Sequence, residues 1–552
     1  MAAEASVGIQ LKTRTIHRIS GPVSVHYLKP SGPYPLILLF GDVHRSEEGM
    51  CEKCTCTSNS QGNQGSQCCI LLHDTVFLQG LDEIASEYPV DFFTETDKTQ
   101  PLTSAPEDGP LDIFINRTHS CYDVLKRSAP NYSQCPTSSI RWHYNDLRMM
   151  TNKVEPYLIS AYKRSLDRFL RDLPENGYDS WEWKMYLMEM ADEYEGALEE
   201  FAENLSPKNS KKRNTYQALG EKTIRRLLDE IVDISAANSA NNSANNSTAN
   251  STTAKLLTIL FSAMESQRGT RGSGFFKELD GLPQPLQDTS IWLELITLSL
   301  QSNTFYQEAI KRLTALHSRP DEDRVSVVQD LLYYLIRTGS DDELLPDDYD
   351  IMTEDPYRAT MISYMKVVSI LLLIIEGILL DVYTIARMLK RPVGGAPSAL
   401  SVGYMGNAHV VSILKMLEHP VFGYQVAYET RQGRCQTIRN RIPLYTDLQE
   451  HIRNGYRSEN VNLYHATLEK EKRGRATRSK NTNQKQNTNN RRNANRLRNT
   501  KKRLSPVPSA APSPFPPSYH VTKKPIPMPS AMFAKPSAMF IKPIAKPAPK
   551  RG

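Results

Sequence analysis

Two apolar runs far apart in the chain end in nearly the same way. Residues 36–44 read LILLFGDVH, and residues 400–409 read LSVGYMGNAH. Each run is stopped by glycine, followed by an Asx residue, one spacer and a histidine. A short, continuous apolar run is what a strand buried on both faces requires, and such strands belong to parallel sheets covered by helices. The pair therefore predicts an α/β fold, with a mostly parallel sheet containing both runs.

The intervening sequence explains their separation. Segments 12–18 and 22–28 alternate like short strands, and residues 35–40 form the first apolar run. From Ile70 to Tyr88 the spacing of Leu71, Val76, Leu78, Leu81 and Ile84 is helical. PVDFFTE (89–95), PLDIFIN (110–116) and SSIRWHYND (138–146) read as strands, with Asp146 opening a helix. Residues 1–150 are thus the first part of an α/β core. Residues 151–350 change to amphipathic helices and end in the acidic stretch GSDDELLPDDYD. Within them, the Ala/Asn/Ser/Thr-rich segment 236–254 has nothing to bury and is expected to be disordered. Strand–helix alternation returns in 351–465: a long buried helix over 363–389 stopped by Pro392, a strand to Gly406, a helix and the strand YQVAYET. The expected architecture is one α/β core split by a helical insertion.

Charge separates a further region. Of the formal net charge of +6, residues 472–552 supply +20 with no Asp or Glu, which leaves the remainder at −14. The segment from 466 onward, rich in Asn, Lys, Arg and Pro, cannot form a core and reads as a disordered basic tail. Residues 472–551 are candidates for nonspecific contact with nucleic acid or acidic proteins through phosphate neutralisation. The stretch 472–503 has no Phe, Tyr or Trp, so base stacking is not expected. The bland alternative is a solubilising tail. The N-terminus lacks the apolar centre of a secretory signal. Val367–Leu380 is interrupted by Ser369, Glu376 and Gly377, and falls short of the ~20 apolar residues of a membrane span. Neither secretion nor a membrane span is expected.

Cys51, Cys54, Cys68 and Cys69 fall in the loop 49–70. Four thiolates suit tetrahedral zinc. The low-complexity spacer and the lack of a second C-x-x-C favour disulfides or free thiols over zinc, so these cysteines are read as structural.

In open parallel sheets, ligands bind beyond the carboxyl ends of the strands. Four predicted strand ends carry candidates: Asp42 with His44, Glu95, His143 with Asp146, and His409. Converging imidazoles and carboxylates could form a general base with its orienting partner, or hold a divalent metal such as Mn or Zn between His44 and His409. Arg141 is two residues from His143, shares its strand face, and could balance developing negative charge. The catalytic candidates are His44, Glu95, His409, Arg141 and His143; the substrate-binding candidates are Asp42, Asp146, Asp381 and Arg387. Asp381 is a charge near the end of a strongly apolar helix, costly if buried unpaired. It lies about 120° from Arg387 on an ideal helix, so the two are not stacked partners. Each residue also has a plainer role: Asp42 and Asp146 as helix caps, Gly41 and Gly406 as chain turns, Asp381 and Arg387 meeting solvent.

The set FGDVHRSE, VDFFTET, RWHYNDLR, LLDVYTIARM and GYMGNAH resembles a family of uncharacterised proteins of giant DNA viruses of the mimivirus type. That resemblance implies a setting in host cytoplasm or virion and no established activity. More widely, the chain resembles the superfamily of erythromycin-esterase-like, ChaN-like and TraB/Tiki-like proteins. Their first strand leads into G-[ET]-x-H, a later strand ends in glutamate, and a second G-x-x-H follows. On that resemblance His44, Glu95 and His409 correspond to the active-site set, with Asp42 standing where esterase-like members carry Glu. The implied function is a hydrolase that activates water. LILLFGDVH also resembles the opening strand of calcineurin-like metallophosphoesterases, although the middle G-D and terminal G-H-x-H motifs are missing. A third reading is a non-enzymatic virion or scaffold protein with a nucleic-acid-binding tail.

Overall fold

The computed structural model describes residues 18–43, 69–71, 75–95, 140–146, 154–172, 282–317, 355–391, 395–429, 436–437 and 444–467, with isolated helical positions at 196, 199, 226, 228 and 469. His44, Cys51, Cys54, Cys68, the expected strand 110–116, the segment 236–254 and the tail beyond residue 469 lie outside the described residues.

A six-stranded mixed sheet forms the centre. Its strands are β2 (Ser24–Pro30), β3 (Leu36–Asp42), β5 (Val90–Thr94), β6 (Arg141–Tyr144), β7 (Leu400–Gly406) and β8 (Tyr424–Glu429). Their order is β6-β5-β7-β3-β2-β8. The first four are mutually parallel; β2 runs antiparallel to both β3 and β8. Strands from both sides of the helical region thus share one sheet, and β7 lies between β3 and β5. A small second sheet joins β4 (Cys69–Leu71), β1 (Arg18–Ser20) and β9 (Gln436–Thr437). Here the sequence reading needs correction: residues 70 and 71 belong to β4, paired in parallel with β1, and the helix begins only at Thr75. A three-residue apolar segment fits either period, and pairing with β1 decides it.

Helices cover both faces. α1 (Thr75–Glu87) and α7 (Leu444–Gly455) share a core with Leu38, Phe40, Val90, Phe92, Val402 and Tyr404. The opposite face, carrying Ile37, Leu39, Phe93 and Met405, packs under α5 (Asp355–Leu389). α2 (Val154–Asp172), α3 (Thr289–Ser302), α4 (Thr304–His317) and α6 (Asn407–Leu417) join that layer. The alternation of side chains along each strand explains why neighbours such as Leu38 and Leu39 enter different cores.

α5 is 35 residues long, which at 1.5 Å per residue is about 50 Å. Across Arg358–Leu389 it is long and apolar enough to cross a membrane, longer than the apolar run suggested, but 83% of its most apolar window is buried within the protein. It packs antiparallel to α2 through two polar bridges in heptad register. Ser160 donates to Glu376, and Ser369 donates to Asp167. Glu376 is buried, and the serine hydroxyl offsets part of the cost of removing its carboxyl from water.

Candidate functional site

The carboxyl ends of β3, β5, β6 and β7 lie along one rim, because these four strands are parallel. β7 stops at Gly406, and α6 starts at once with Asn407, so His409 sits in the first turn of the helix. Glu95 is the first residue past β5. Asp381 comes from α5, the long helix lying over this face. The three meet. His409 Nδ1 donates to Asp381 Oδ1 at 2.7 Å, and His409 Nε2 stands 3.4 Å from Glu95 Oε1. Glu95 is itself fixed, since its Oε2 accepts from the Gly406 backbone N–H at 2.8 Å. Asp381 also hydrogen-bonds Ser412 on α6, which bonds Ser299 on α3 at 3.0 Å. Asp381 is therefore buried and partnered, and does not meet solvent as the plainer reading would have it.

A glycine lets the helix come this close. A Cβ built on Gly377 would lie 3.5 Å from His409 Cε1, so the imidazole packs against bare helix backbone. Gly377 and Asp381 are one turn apart on the same face of α5. Burial opposes the charge on His409, but Glu95 and Asp381 outweigh it and hold the imidazole well above its ordinary value, so it is protonated at neutral pH. Burial pushes the Asp381 carboxyl up, and the facing imidazole pulls part of the way back.

Asp42 belongs to the other side of the sheet. The structural register sets Gly41 opposite Met405 and Asp42 opposite Gly406, one residue out of step with the matching of the two sequence motifs. A shift of one reverses the face. Asp42 follows Leu38 and Phe40 toward the α1 side, whereas Glu95 and His409 lie on the α5 side. Asn407 does not cap its helix. Its Oδ1 accepts from Ser24 on β2, and this bond passes directly over Gly41. His44 follows Asp42 by two residues and lies outside the described part.

Arg141, His143 and Arg387 come together in a second cluster, lower on the α5 face. Arg141 grips Asp91 with two bonds, Nε to Oδ1 at 2.7 Å and Nη2 to Oδ2 at 2.8 Å. Its Nη1 donates to the Ala396 carbonyl. His143 Nε2 lies 2.9 Å from the same Asp91 Oδ1. Arg387 donates from Nη2 to His143 Nδ1 at 2.7 Å and from Nη1 to the Tyr383 hydroxyl at 3.3 Å. A guanidinium has no acceptor, so Nδ1 must be the lone-pair nitrogen and Nε2–H donates to Asp91. The ring also stacks on Phe93, with centroids 4.6 Å apart. Asp91, which looks like an ordinary alternating strand residue in the sequence, is the centre of this cluster. Burial raises its carboxyl, yet Arg141 and then His143 override that and hold it well below the usual carboxylate range.

The rim continues past β6. Asn145 and Asp146 are both buried there, and Asn145 Nδ2 donates to Thr384 Oγ1 at 2.5 Å. Thr384 lies three residues beyond Asp381 on α5, so the amide bonds to the same face of that helix. Asn145 was not singled out by sequence, although its parity with Arg141 and His143 places it on their face.

Both ring nitrogens of His409 are turned to carboxylates. Among the described residues no group of three or more His, Cys, Asp and Glu side chains is arranged to hold a metal. The geometry of the described site is that of an acid–base pair with an orienting carboxylate: one carboxylate and one imidazolium side by side, the imidazolium fixed from behind. Comparison with known proteins finds no matching family model, no matching curated protein and no matching solved structure.

Proposed function

We propose that the rim where Glu95, His409 and Asp381 meet is a hydrolytic site that activates water for attack on an acyl carbonyl. The observation that carries this reading is the imidazole held between two buried carboxylates at the carboxyl ends of adjacent parallel strands. Glu95 takes the proton of the attacking water. His409, already protonated, gives its Nε2 proton to the departing alkoxide, and Asp381 stabilises and orients the imidazolium throughout. The proton on Glu95 then crosses to His409 Nε2 and restores both groups. The likeness of the strand-end motifs to the erythromycin-esterase-like superfamily supports the same residues, Glu95 and His409, and adds His44.

The test is a screen of the purified chain against ester, peptide and phosphoester panels, repeated with Glu95→Gln and His409→Gln. Loss of a group engaged in proton transfer removes ~10²–10⁴ of rate. An activity that survives both substitutions in folded protein refutes the assignment.

A second reading rests on the tail. Twenty basic residues with no acid in 472–552 favour a virion or scaffold component that contacts nucleic acid. Duplex DNA affinity that falls steeply between ~50 and ~200 mM salt, and that a 1–465 truncation loses, supports it. Equal affinity of the truncation removes it.

A further inference from the structure

Among the described residues on the α5 side of the rim, Asn145 is a polar side chain that its hydrogen bonds leave incomplete. It is 1% exposed, and its Nδ2 is taken by Thr384, which is itself fully buried. Its Oδ1 has no hydrogen-bond partner. A buried amide oxygen without a donor is costly, and a ligand group that donates to it removes that cost. Its location fits that role. Asn145 is the first residue past β6, its backbone N–H donates to the Thr94 carbonyl beside Glu95, and its amide is held by Thr384, which shares a face of α5 with Asp381.

The charge around it limits what can complete it. On the α5 side of the rim, Glu95 and Asp381 flank the His409 imidazolium. The arginines on the same face are tied elsewhere, Arg141 to Asp91 and Arg387 to His143 and Tyr383. The described α5 side of the rim thus sets two carboxylates against one imidazolium and adds the open acceptor of Asn145. A phosphoester dianion or a carboxylate has no donor to offer Oδ1 and faces the two carboxylates, whereas a hydroxyl or ammonium group supplies the donor that Oδ1 lacks.

We infer that Asn145 positions the substrate of this site by accepting a hydrogen bond from a hydroxyl or ammonium group, so that the site takes neutral or cationic esters bearing such a donor and rejects anionic ones. The reaction in this statement rests on the hydrolytic reading above; the binding preference does not.

Two measurements on the full chain separate the two. The first is hydrolysis of nitrophenyl esters of β-alanine, lactate, butyrate and succinate. The β-alanine or lactate ester is expected to exceed the succinate ester in kcat/KM by about tenfold or more, the scale of one lost hydrogen bond. Asn145→Leu should raise KM for the preferred ester by about tenfold, leave its kcat within about twofold, and spare the butyrate ester. Asn145→Asp keeps an acceptor for the substrate and another for the Thr384 hydroxyl, so it should retain the preference. A succinate preference, or an equal loss on butyrate, overturns the inference. The second measurement is calorimetric titration with ethanolamine and with acetate, which needs no turnover. Ethanolamine binding that weakens about tenfold in Asn145→Leu and persists in Asn145→Asp supports the inference, even in a chain that hydrolyses nothing, in which case the hydrolytic reading alone fails. No ethanolamine binding by the parent, tighter binding of acetate, or binding unchanged in Asn145→Leu overturns it. Thermal melts of both variants accompany each measurement, and Asn145→Asp keeps the test informative if Asn145→Leu does not fold.

Discussion

His409 and Asp381 are bonded at 2.7 Å across two helices that approach each other from opposite sides of β7 in the sequence. The bond makes the imidazole a buried cation between two buried acids, so it contributes to stability as well as chemistry. Its folded-state value is raised, so the contribution is present in full below about pH 6.5, the ordinary imidazole value, and is lost as the pH climbs through the folded value. Urea unfolding between pH 6 and 9 should show stability declining on the alkaline side. His409→Gln should remove that decline and lower stability at pH 7 by about 3–5 kcal/mol, because it leaves Glu95 and Asp381 without their cation. A parent whose stability is flat across this range contradicts the charge assignment.

The Asp91–Arg141 pair acts at the opposite end of the pH scale. The folded-state value of Asp91 is depressed, so its contribution is present above the ordinary carboxylate value near 4 and is lost as the pH falls through the folded value. Arg141→Met should cost about 3–5 kcal/mol at pH 7 by leaving a buried carboxylate unpaired. The double change Asp91→Leu with Arg141→Met should recover most of that loss, and acid unfolding profiles of the three proteins check it.

Gly41 has no room for a side chain. A Cβ there would lie 2.4 Å from both Asn407 Oδ1 and Ser24 Oγ, and 3.1 Å from Asn407 Cα. Gly41→Ala should destabilise by about 1–3 kcal/mol, the cost of overpacking a well-filled core. Ser24→Ala in the same chain should restore only part of this, because the Asn407 backbone remains in the way. Full restoration in denaturant melts would mean that the hydroxyl is the sole obstacle.

Gly377 makes the contrasting case. At 3.5 Å from His409 Cε1, an alanine methyl makes ordinary contact. Gly377→Ala should raise stability by up to about 1 kcal/mol through helix propensity, with activity retained. Gly377→Leu should displace the imidazole and reduce kcat. Thermal melts read the first outcome and turnover the second.

The central strands β3 and β7 were legible because LILLF and LSVGYM are short, largely apolar and cut off by glycine, whereas β4, read as the start of a helix, and β9 were not. Glu95 and His409 were legible as residues just past such ends, and Asp381 as a charge that an apolar helix would have to justify. The face of Asp42 was not legible. The two G-[DN]-x-H stretches match by composition, while the hydrogen-bond ladder pairs Asp42 with Gly406, and no local pattern reports a slip of one. The same limit hid Asp91, whose partner Arg141 is fifty residues away in the sequence and becomes a neighbour only when β5 and β6 pair. Arg141 accordingly meets Asp91 near the start of its strand and not an anion at the rim.

The position of β7 between β3 and β5 has a consequence for how the protein is made. When β3 and β5 leave the ribosome, the strand that joins them is about 300 residues from synthesis, and at roughly 5–20 residues per second it follows some tens of seconds later. Until then both nascent strands expose backbone edges able to pair with the wrong chain. Arrival of β7 closes the gap, and the same event carries Gly406 and His409 to Glu95. Joining of the parallel strands and assembly of the site are one step, so a chain stalled or cut before β7 has neither.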